Sequence, residues 1–391
     1  MSELSYLEKL LDGVEVEWLP LSGLARIRNG KDHKSLSEGE FPVYGSGGIM
    51  RYVDTYAYNK PSVLIPRKGS LGNLFFVNVP FWTVDTIFYT EIDEAQIRPK
   101  YLYYFLTTVG LGEMNQAGGV PSQTQSVLNK LKIPIPCPGN PQKSLAIQSE
   151  IVRILDKFTA LTAELTAELN MRKKQYNYYR DQLFSFKEGE VEWKALGEIG
   201  EVRMCKRILK SQTSSEGEIP FYKIGTFGKE PDSYISRKLF NEFKEKYSYP
   251  KVGEVLISAS GTIGRTVIFD GRESYFQDSN IVWIENNEKI VLNKYLFYFY
   301  KIAKWGISEG GTIKRLYNDN LRKLMIPVPF PDSPERSLVE QQKIVKLLDK
   351  FDALTNSITE GLPREIELRQ KQYEYYRDLL FSFPKPETVS K

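Results

Sequence analysis

Few side chains in this 391-residue sequence are typed and spaced for covalent chemistry. The single histidine, His33, lies in the polar stretch Asn29–Glu40. A general base needs a carboxylate and a nucleophile held around it, so one isolated imidazole reads as a solvated loop residue. Cys137 and Cys205 stand far apart, which fits neither a disulfide framework nor a zinc site. Gly45-Ser46-Gly47-Gly48 is turn text, and no G-x-x-x-x-G-K-[ST] phosphate loop occurs. The Asn-Pro-Pro-aromatic or Asp-Pro-Pro-aromatic loop of amino-methyltransferases is missing too. One pattern does fit. Pro231-Asp232 followed by Glu242-Phe243-Lys244 matches the loose P-D…E-x-K signature of Mg2+-dependent nucleases. That chemistry needs its Asp and Glu at adjacent strand ends around the metal, and the text around Glu242 lacks a strand core. No catalytic or metal-ligating residue is therefore assigned. A stand-alone nuclease using Asp232, Glu242 and Lys244 stays open as an alternative.

Binding chemistry is better supplied. The chain holds 24 Tyr and 21 Phe, and many tyrosines sit among Lys, Arg, Ser and Gly in loop-like text. Such rings suit nucleic-acid contact, and equally suit half-buried sheet faces. Polar loops also recur at matching places in the two halves of the chain. Arg67-Lys68-Gly69-Ser70 answers to Ala259-Ser260-Gly261-Thr262, Gly118–Gln123 to Gly310–Arg315, and Asp85-Thr86 to Asp278-Ser279. Position is shared while chemistry differs, as expected of two readers of two short sequences. Arg or Lys would read guanine, Asn or Gln adenine, and hydroxyls or backbone amides would hold phosphate. The candidates in the first half are Tyr44, Arg51, Arg67, Lys68, Ser70, Asn73 and Gln123. Those in the second are Lys223, Arg237, Ser260, Thr262, Arg265, Lys314 and Arg315. The net charge of +4 is spread so that no segment is strongly basic. A DNA-binding face would have to arise by segregating charge in three dimensions.

The elements that must position these loops repeat. Gln148–Thr162 and Gln341–Thr355 share 10 of 15 residues, and Arg172–Phe186 and Arg369–Phe383 share 12 of 15. Both stretches are helical in pattern. In the first, apolar residues at Ile147, Ile151, Ile154, Phe158, Leu161 and Leu165, resuming at Leu169, Tyr176, Tyr179, Leu183 and Phe186, predict a coiled-coil seam. The first arm carries the tandem Thr162-Ala-Glu-Leu165 and Thr166-Ala-Glu-Leu169; the second carries Glu360-Gly-Leu-Pro363, which should break its helix. Glu15–Trp18 returns at Glu190–Trp193, and Tyr6–Gly13 is a weak echo of an arm end. β-rich runs such as Val63–Pro66, Ile87–Ile92, Val255–Ser258 and Ile281–Glu285 precede helices at Pro99–Val109 and Asn293–Lys304. The I-P-x-P runs ending at Pro136 and Pro329 should stop regular structure. The expectation is an α+β chain: globes at 1–143 and 188–337, alternating with helical arms at 144–187 and 338–391, the arms packed antiparallel about an internal pseudo-two-fold axis. A scaffold or adhesin built on the coiled coil, with globes binding protein or glycan, is the second alternative.

The L-D-K-F-x-A-L-T and Q-Y-x-Y-Y-R-D-x-L-F-S-F repeats make essentially the whole chain resemble the specificity subunits (HsdS) of type I restriction-modification systems. The opening M-S-E-L-S-Y-L-E-K-L-L-D-G-V-E-V-E-W-L-P-L and the tandem T-A-E-L look like the type IC group. The resemblance implies a non-catalytic subunit. Each globe would read one half of a bipartite double-stranded DNA target, and the arms would set the spacer and hold two methyltransferase subunits (HsdM). Motor-nuclease subunits (HsdR) would join that core, and adenine methylation or ATP-dependent restriction would belong to these partners, with their S-adenosylmethionine, ATP and Mg2+. No cofactor is expected on this chain. Candidate partner contacts are Tyr176, Tyr179 and Arg180 on one arm and Tyr373, Tyr376 and Arg377 on the other. With no signal peptide at the N-terminus and no run of about 18 apolar residues, a cytoplasmic location is expected.

Overall fold

The computed structural model describes residues 13–114, 120–187, 189–306 and 315–384. The chain divides into two compact units, Met1–Thr166 with Glu365–Lys391, and Ala167–Arg364. Each unit takes one globe, part of the central helix Pro141–Leu183, and a helix from the C-terminal arm. That arm is broken as its Gly and Pro predict. Helix Pro334–Asn356 ends, Ser357–Glu360 intervene, and Gly361–Leu380 begins with Gly361 at φ +75°. A β-carbon on Gly361 would lie 2.4 Å from the Ala353 carbonyl oxygen, so only glycine fits this corner.

The globes share one plan. In the first, a four-stranded sheet runs Ala25–Asn29, Ile87–Ile92, Ser62–Pro66, Phe75–Val77, beside a three-stranded sheet of Gly48–Val53, Phe41–Gly45 and Trp82–Thr83. In the second, the order is Gly200–Arg203, Ile281–Asn286, Val255–Ser258, Thr266–Ile268, beside Tyr234–Ile235, Ile219–Tyr222 and Tyr275–Phe276. Each three-stranded sheet contains one parallel pair. The second globe adds the helix Arg237–Lys246, whose first turn is capped by the Ser236 hydroxyl accepting from the Leu239 N–H at 3.3 Å.

The I-P-x-P runs do not stop regular structure. Lys132–Pro136 and Met325–Pro329 are strands, each antiparallel to an E-V-E-W segment, with Trp18 opposite Pro134 and Trp193 opposite Pro327. The prolines fall on alternate residues. Their missing N–H groups face away from the partner, while the isoleucine and valine between them keep the bonded edge intact.

Each globe then grips its arm by the same set of bonds. Tyr101 and Tyr295, fully buried, donate to the Pro134 and Pro327 carbonyls at 2.8 and 2.9 Å. Tyr104 and Tyr298 donate to Asp156 and Asp349, both at 2.6 Å. Lys100 and Lys294 reach the same carboxylates at 2.7 and 2.8 Å. Ser144, Ile147, Gln148, Ile151 and Leu155 form the buried stripe of the central helix in the first unit. Within that unit Ile147–Leu155 share a core with Leu380–Phe383, and Phe158 stacks on Tyr376 at 5.2 Å. In the second unit Phe184 shares a core with Ile344–Leu348, and Tyr179 stacks on Phe351 at 5.7 Å. Within each unit the helices therefore run in opposite directions. The expected seam is only partly buried: Ile147 and Ile151 are covered, but Leu161 is 36% exposed, and no residue from Lys157 to Gln175 is buried. That stretch holds its helix by propensity and by local pairs such as Arg172–Glu168 at 2.6 Å. No helix among the described residues is long and apolar enough to cross a membrane.

Candidate nucleic-acid interface

The matching polar loops meet at one end of each four-stranded sheet, where Pro66 lies opposite Ile87 and Ser258 opposite Ile281. In the first globe the Arg67 N–H donates to the Thr86 carbonyl at 2.8 Å and the Gln123 N–H to the Arg67 carbonyl at 3.0 Å. In the second, Ala259 donates to Asn280 at 2.7 Å and Leu316 to Ala259 at 2.8 Å. The bridges Lys68 with Ser122 and Ser260 with Arg315 also correspond. One backbone frame is thus built twice.

What the frames carry differs. In the first, the 45–48 turn joins the cluster: the Ser46 N–H donates to Thr86 Oγ1 and the Asn73 amide to the Ser46 carbonyl, both at 3.3 Å. Lys68, Ser70 and Asn73 are exposed on these loops. Arg67 is half-buried, its guanidinium 5.9 Å from the Phe88 ring centre. Arg51 donates to the Leu36 carbonyl at 3.1 Å. Tyr44 packs between Phe75 and Phe81, and burial raises its phenol pKa. Gln123 does not face solvent. It is 2% exposed and donates to the Pro66 carbonyl at 2.6 Å, filling the place that buried Leu316 takes in the other globe. It braces the loop from beneath.

In the second globe Thr262 is exposed and Ser260 nearly buried, donating to Asn280 Oδ1 at 2.7 Å. Arg315 donates to the Ser279 carbonyl at 3.2 Å. Three candidates are tied into the globe's own structure. Lys223 pairs with Asp232 at 2.9 Å, and Arg237 spans Glu218 and Glu273 at 3.2 and 2.8 Å. Arg265 donates to the Phe227 carbonyl at 3.0 Å. Lys314 and the rest of its loop lie outside the described residues, as do residues 115–119. The exposed apolar residues Ile49, Met50 and Tyr52, on the hairpin strand beside the 45–48 turn, are surface the polar-loop reading passed over.

The nuclease pattern is not assembled. Asp232 precedes the strand Tyr234–Ile235, whereas Glu242 and Lys244 stand on the helix Arg237–Lys246. Glu242 pairs with Lys246 at 3.1 Å, and the Lys244 ammonium sits over Phe240 and Tyr249 at 5.3 and 5.1 Å. Among the described residues no three His, Cys, Asp or Glu side chains gather for a metal. His33 is half-buried rather than solvated, its backbone N–H on Asp32. Burial pushes the Cys205 thiol up to about 12, which keeps it inert.

On the arms most of the expected partner contacts turn inward. Tyr176 is 5% exposed, against Phe351 and under Lys301, and burial pushes its phenol up to about 12. Tyr373 packs on Tyr104, and Tyr376 on Phe158. Arg180 and Arg377 hold Asp181 and Asp378 at 2.8 and 2.7 Å and lie over Tyr176 and Tyr373. Tyr179 is 44% exposed. The outward rings are those between: Tyr178 at 60% and Tyr375 at 58%. Both are the middle tyrosine of Y-x-Y-Y, which a helical wheel places away from an inward pair at i and i+3.

Comparison with known proteins agrees with the doubled frame. The model of the type I restriction modification DNA specificity domain matches twice, at residues 14–172 and 188–368. A putative type I restriction enzyme specificity subunit of Haemophilus influenzae is 52% identical over 97% of this chain and 98% of its own. The EcoR124I/EcoR124II specificity subunit of Escherichia coli is 44% identical over the full length of both. The crystal structure of the S subunit of a type I restriction-modification system from M. genitalium aligns with TM-score 0.59 at 16% identity, over 96% of this chain and 98% of that one. At that identity the likeness speaks for the fold.

Proposed function

The chain belongs to the type I restriction modification DNA specificity family, and from there we propose that its two globes read the two halves of one bipartite duplex target. It is a DNA-recognition subunit of that family, and reading is divided between the globes. The observation that carries the division is the doubled frame of loops at the sheet ends, alike in its two main backbone bonds and its bridge and different in side chains. Lys68 in the first globe and Arg315 in the second stand on opposite sides of the corresponding bridge, Lys68 across from Ser122 and Arg315 across from Ser260. Cationic groups at a base edge favour guanine, and exposed Ile49 and Met50 suit a thymine methyl. The arms serve as spacer and as the seat of two methyltransferase subunits, with motor-nuclease subunits added to that core. S-adenosylmethionine, ATP and Mg2+ act on those partners. The exposed tyrosine of each arm, Tyr178 and Tyr375, supplies aromatic surface of the kind that anchors protein interfaces.

The test is methylation mapping in cells expressing the chain with its methyltransferase. A two-part motif is expected. Lys68→Ala should relax or weaken one part and Arg315→Ala only the other, each by about 1–3 kcal/mol if a base contact is lost. Equal loss in both parts would assign these residues to folding or phosphate contact and end the divided reading.

A further inference from the structure

The turn Asp278-Ser279-Asn280 in the second globe holds Ser279 at φ +60°, a conformation that side chains disfavour and that persists only where the surroundings over-determine it. They do so here. The Asn280 N–H donates to the Asp278 carbonyl and the Asn280 carbonyl accepts from Ala259, both at 2.7 Å. The Asn280 side chain accepts from Ser260 at 2.7 Å, and Gln277 Oε1 accepts from the Ile224 N–H at 3.0 Å. The other two non-glycine residues with positive φ among those described, Cys137 and Phe330, come directly after the two I-P-x-P strands at matching places. They belong to the repeated scaffold, whereas Ser279 has no such counterpart in the first globe.

This turn grips two arginines. Arg315 Nη2 donates to the Ser279 carbonyl at 3.2 Å, and Arg207 Nε donates to Asp278 Oδ2 at 2.9 Å. The Asp278 side chain is only 16% exposed, while that of Arg207 is 68% exposed. Among the described residues the two terminal nitrogens of Arg207 have no partner. The carboxylate thus fixes the plane of the guanidinium and leaves its fork in solvent, at the rim of a groove that Lys210, Thr213 and Gln277 also line. Other arginines of this globe are differently placed. Arg203 and Arg237 each span two glutamates, Arg265 is spent on a carbonyl, and Arg272 is held by a carboxylate that is itself 50% exposed.

We propose that Arg207 reads a guanine in the half-site of the second globe, with Asp278 as its positioning residue. A fixed fork of two donors matches the two acceptors, O6 and N7, that only guanine presents together on its major-groove edge. The inference rests on the reading of this globe as a duplex reader.

The full chain with its methyltransferase, carrying Arg207→Ala, Arg207→Lys or Asp278→Asn, separates the outcomes by methylation mapping and duplex binding. One guanine–cytosine position in one half-site should become degenerate in both Arg207 variants. Affinity for the intact site should fall about 10- to 100-fold, with little change for duplexes already altered at that position. Asp278→Asn should relax the same position less. Arg207→Lys retains the charge without the fork, so it decides the matter if Arg207→Ala lowers the melting temperature. An unchanged motif and affinity would make the pair a surface ion pair and overturn the proposal. So would an even loss over all sequences, rescued by lysine, with a salt slope lower by about one, which marks a phosphate contact. If the unsubstituted complex shows no two-part motif, the duplex-reader reading fails first and takes this one with it.

Discussion

Gln148 and Gln341 each fix a globe on its arm with one side chain. Both are 0% exposed. Gln148 accepts from the Arg98 N–H at 2.8 Å and donates to the Gln96 carbonyl at 3.0 Å and to Ser144 at 3.1 Å. Gln341 does the same with Leu292, Ile290 and Ser337, at 2.9, 3.0 and 3.1 Å. An alanine at either place would leave a half-buried N–H and a half-buried carbonyl without their partner, each costing up to about 1–3 kcal/mol. We predict that Gln148→Ala lowers stability by about 2–4 kcal/mol, seen as a shifted urea midpoint, and that Gln341→Ala does likewise. A midpoint within error of the parent would mean that water replaces the amide. The repeat made both glutamines visible in the sequence as shared letters, but not their task, because their partners lie about fifty positions away. The same distance hid a paired exchange. Where one repeat has Thr107 and Thr159, the other has Lys301 and Asp352, joined at 3.2 Å.

The arms were legible as helices because their apolar spacing is strong, and the break at Gly361 was legible from glycine and proline chemistry. Which face they bury was less so. A seam drawn for two helices alone ignores the globe, and in the first unit the stripe from Ser144 to Leu155 packs on the globe as well as on the other arm. The same neglect made Tyr176 and Tyr373 candidates for partner contact, when the globe helices claim them through Lys301 and Tyr104. The I-P-x-P strands were missed because proline counts against a strand unless its position along a two-stranded edge is known. These placements separate assembly from folding. Tyr178→Ala with Tyr375→Ala removes exposed rings, so it should leave the melting temperature nearly unchanged while reducing recovery of the methyltransferase complex on size exclusion. Tyr176→Ala removes a buried ring that packs on Phe351, and should cost about 3–5 kcal/mol of stability. If both lower the melting temperature alike, the outward tyrosines are part of the fold instead.

At the scale of the whole chain, each unit is closed by sequence from both arms, so the polypeptide passes from one to the other twice. One passage lies between Thr166 and Ala167, inside the tandem Thr-Ala-Glu-Leu; the other lies between Arg364 and Glu365, just after the break at Ser357–Glu360. The first is unbroken helix with no buried side chain, in which Ala, Glu and Leu favour helix by themselves. Such a segment can gain a repeat without disturbing either core, and the broken second arm gives a place to absorb the change. Inserting one Thr-Ala-Glu-Leu after Leu169 adds about 6 Å of helix and rotates the distal part of the helix by about 40°, at 3.6 residues per turn. One base pair adds about 3.4 Å and 34–36° to a duplex. Length alone would allow one base pair or two. Rotation chooses: two base pairs need about 70°, which four residues do not supply. With the arm lying along the duplex, both helices being right-handed, advance in a common direction turns both the same way. We predict that the insertion lengthens the unspecified spacer by about one base pair and leaves both half-sites as they were. Methylome sequencing of the insertion variant reads spacer and half-sites at once. A spacer of unchanged length would show that the arm does not measure the gap, and an altered half-site would show that the insertion has reached into a globe.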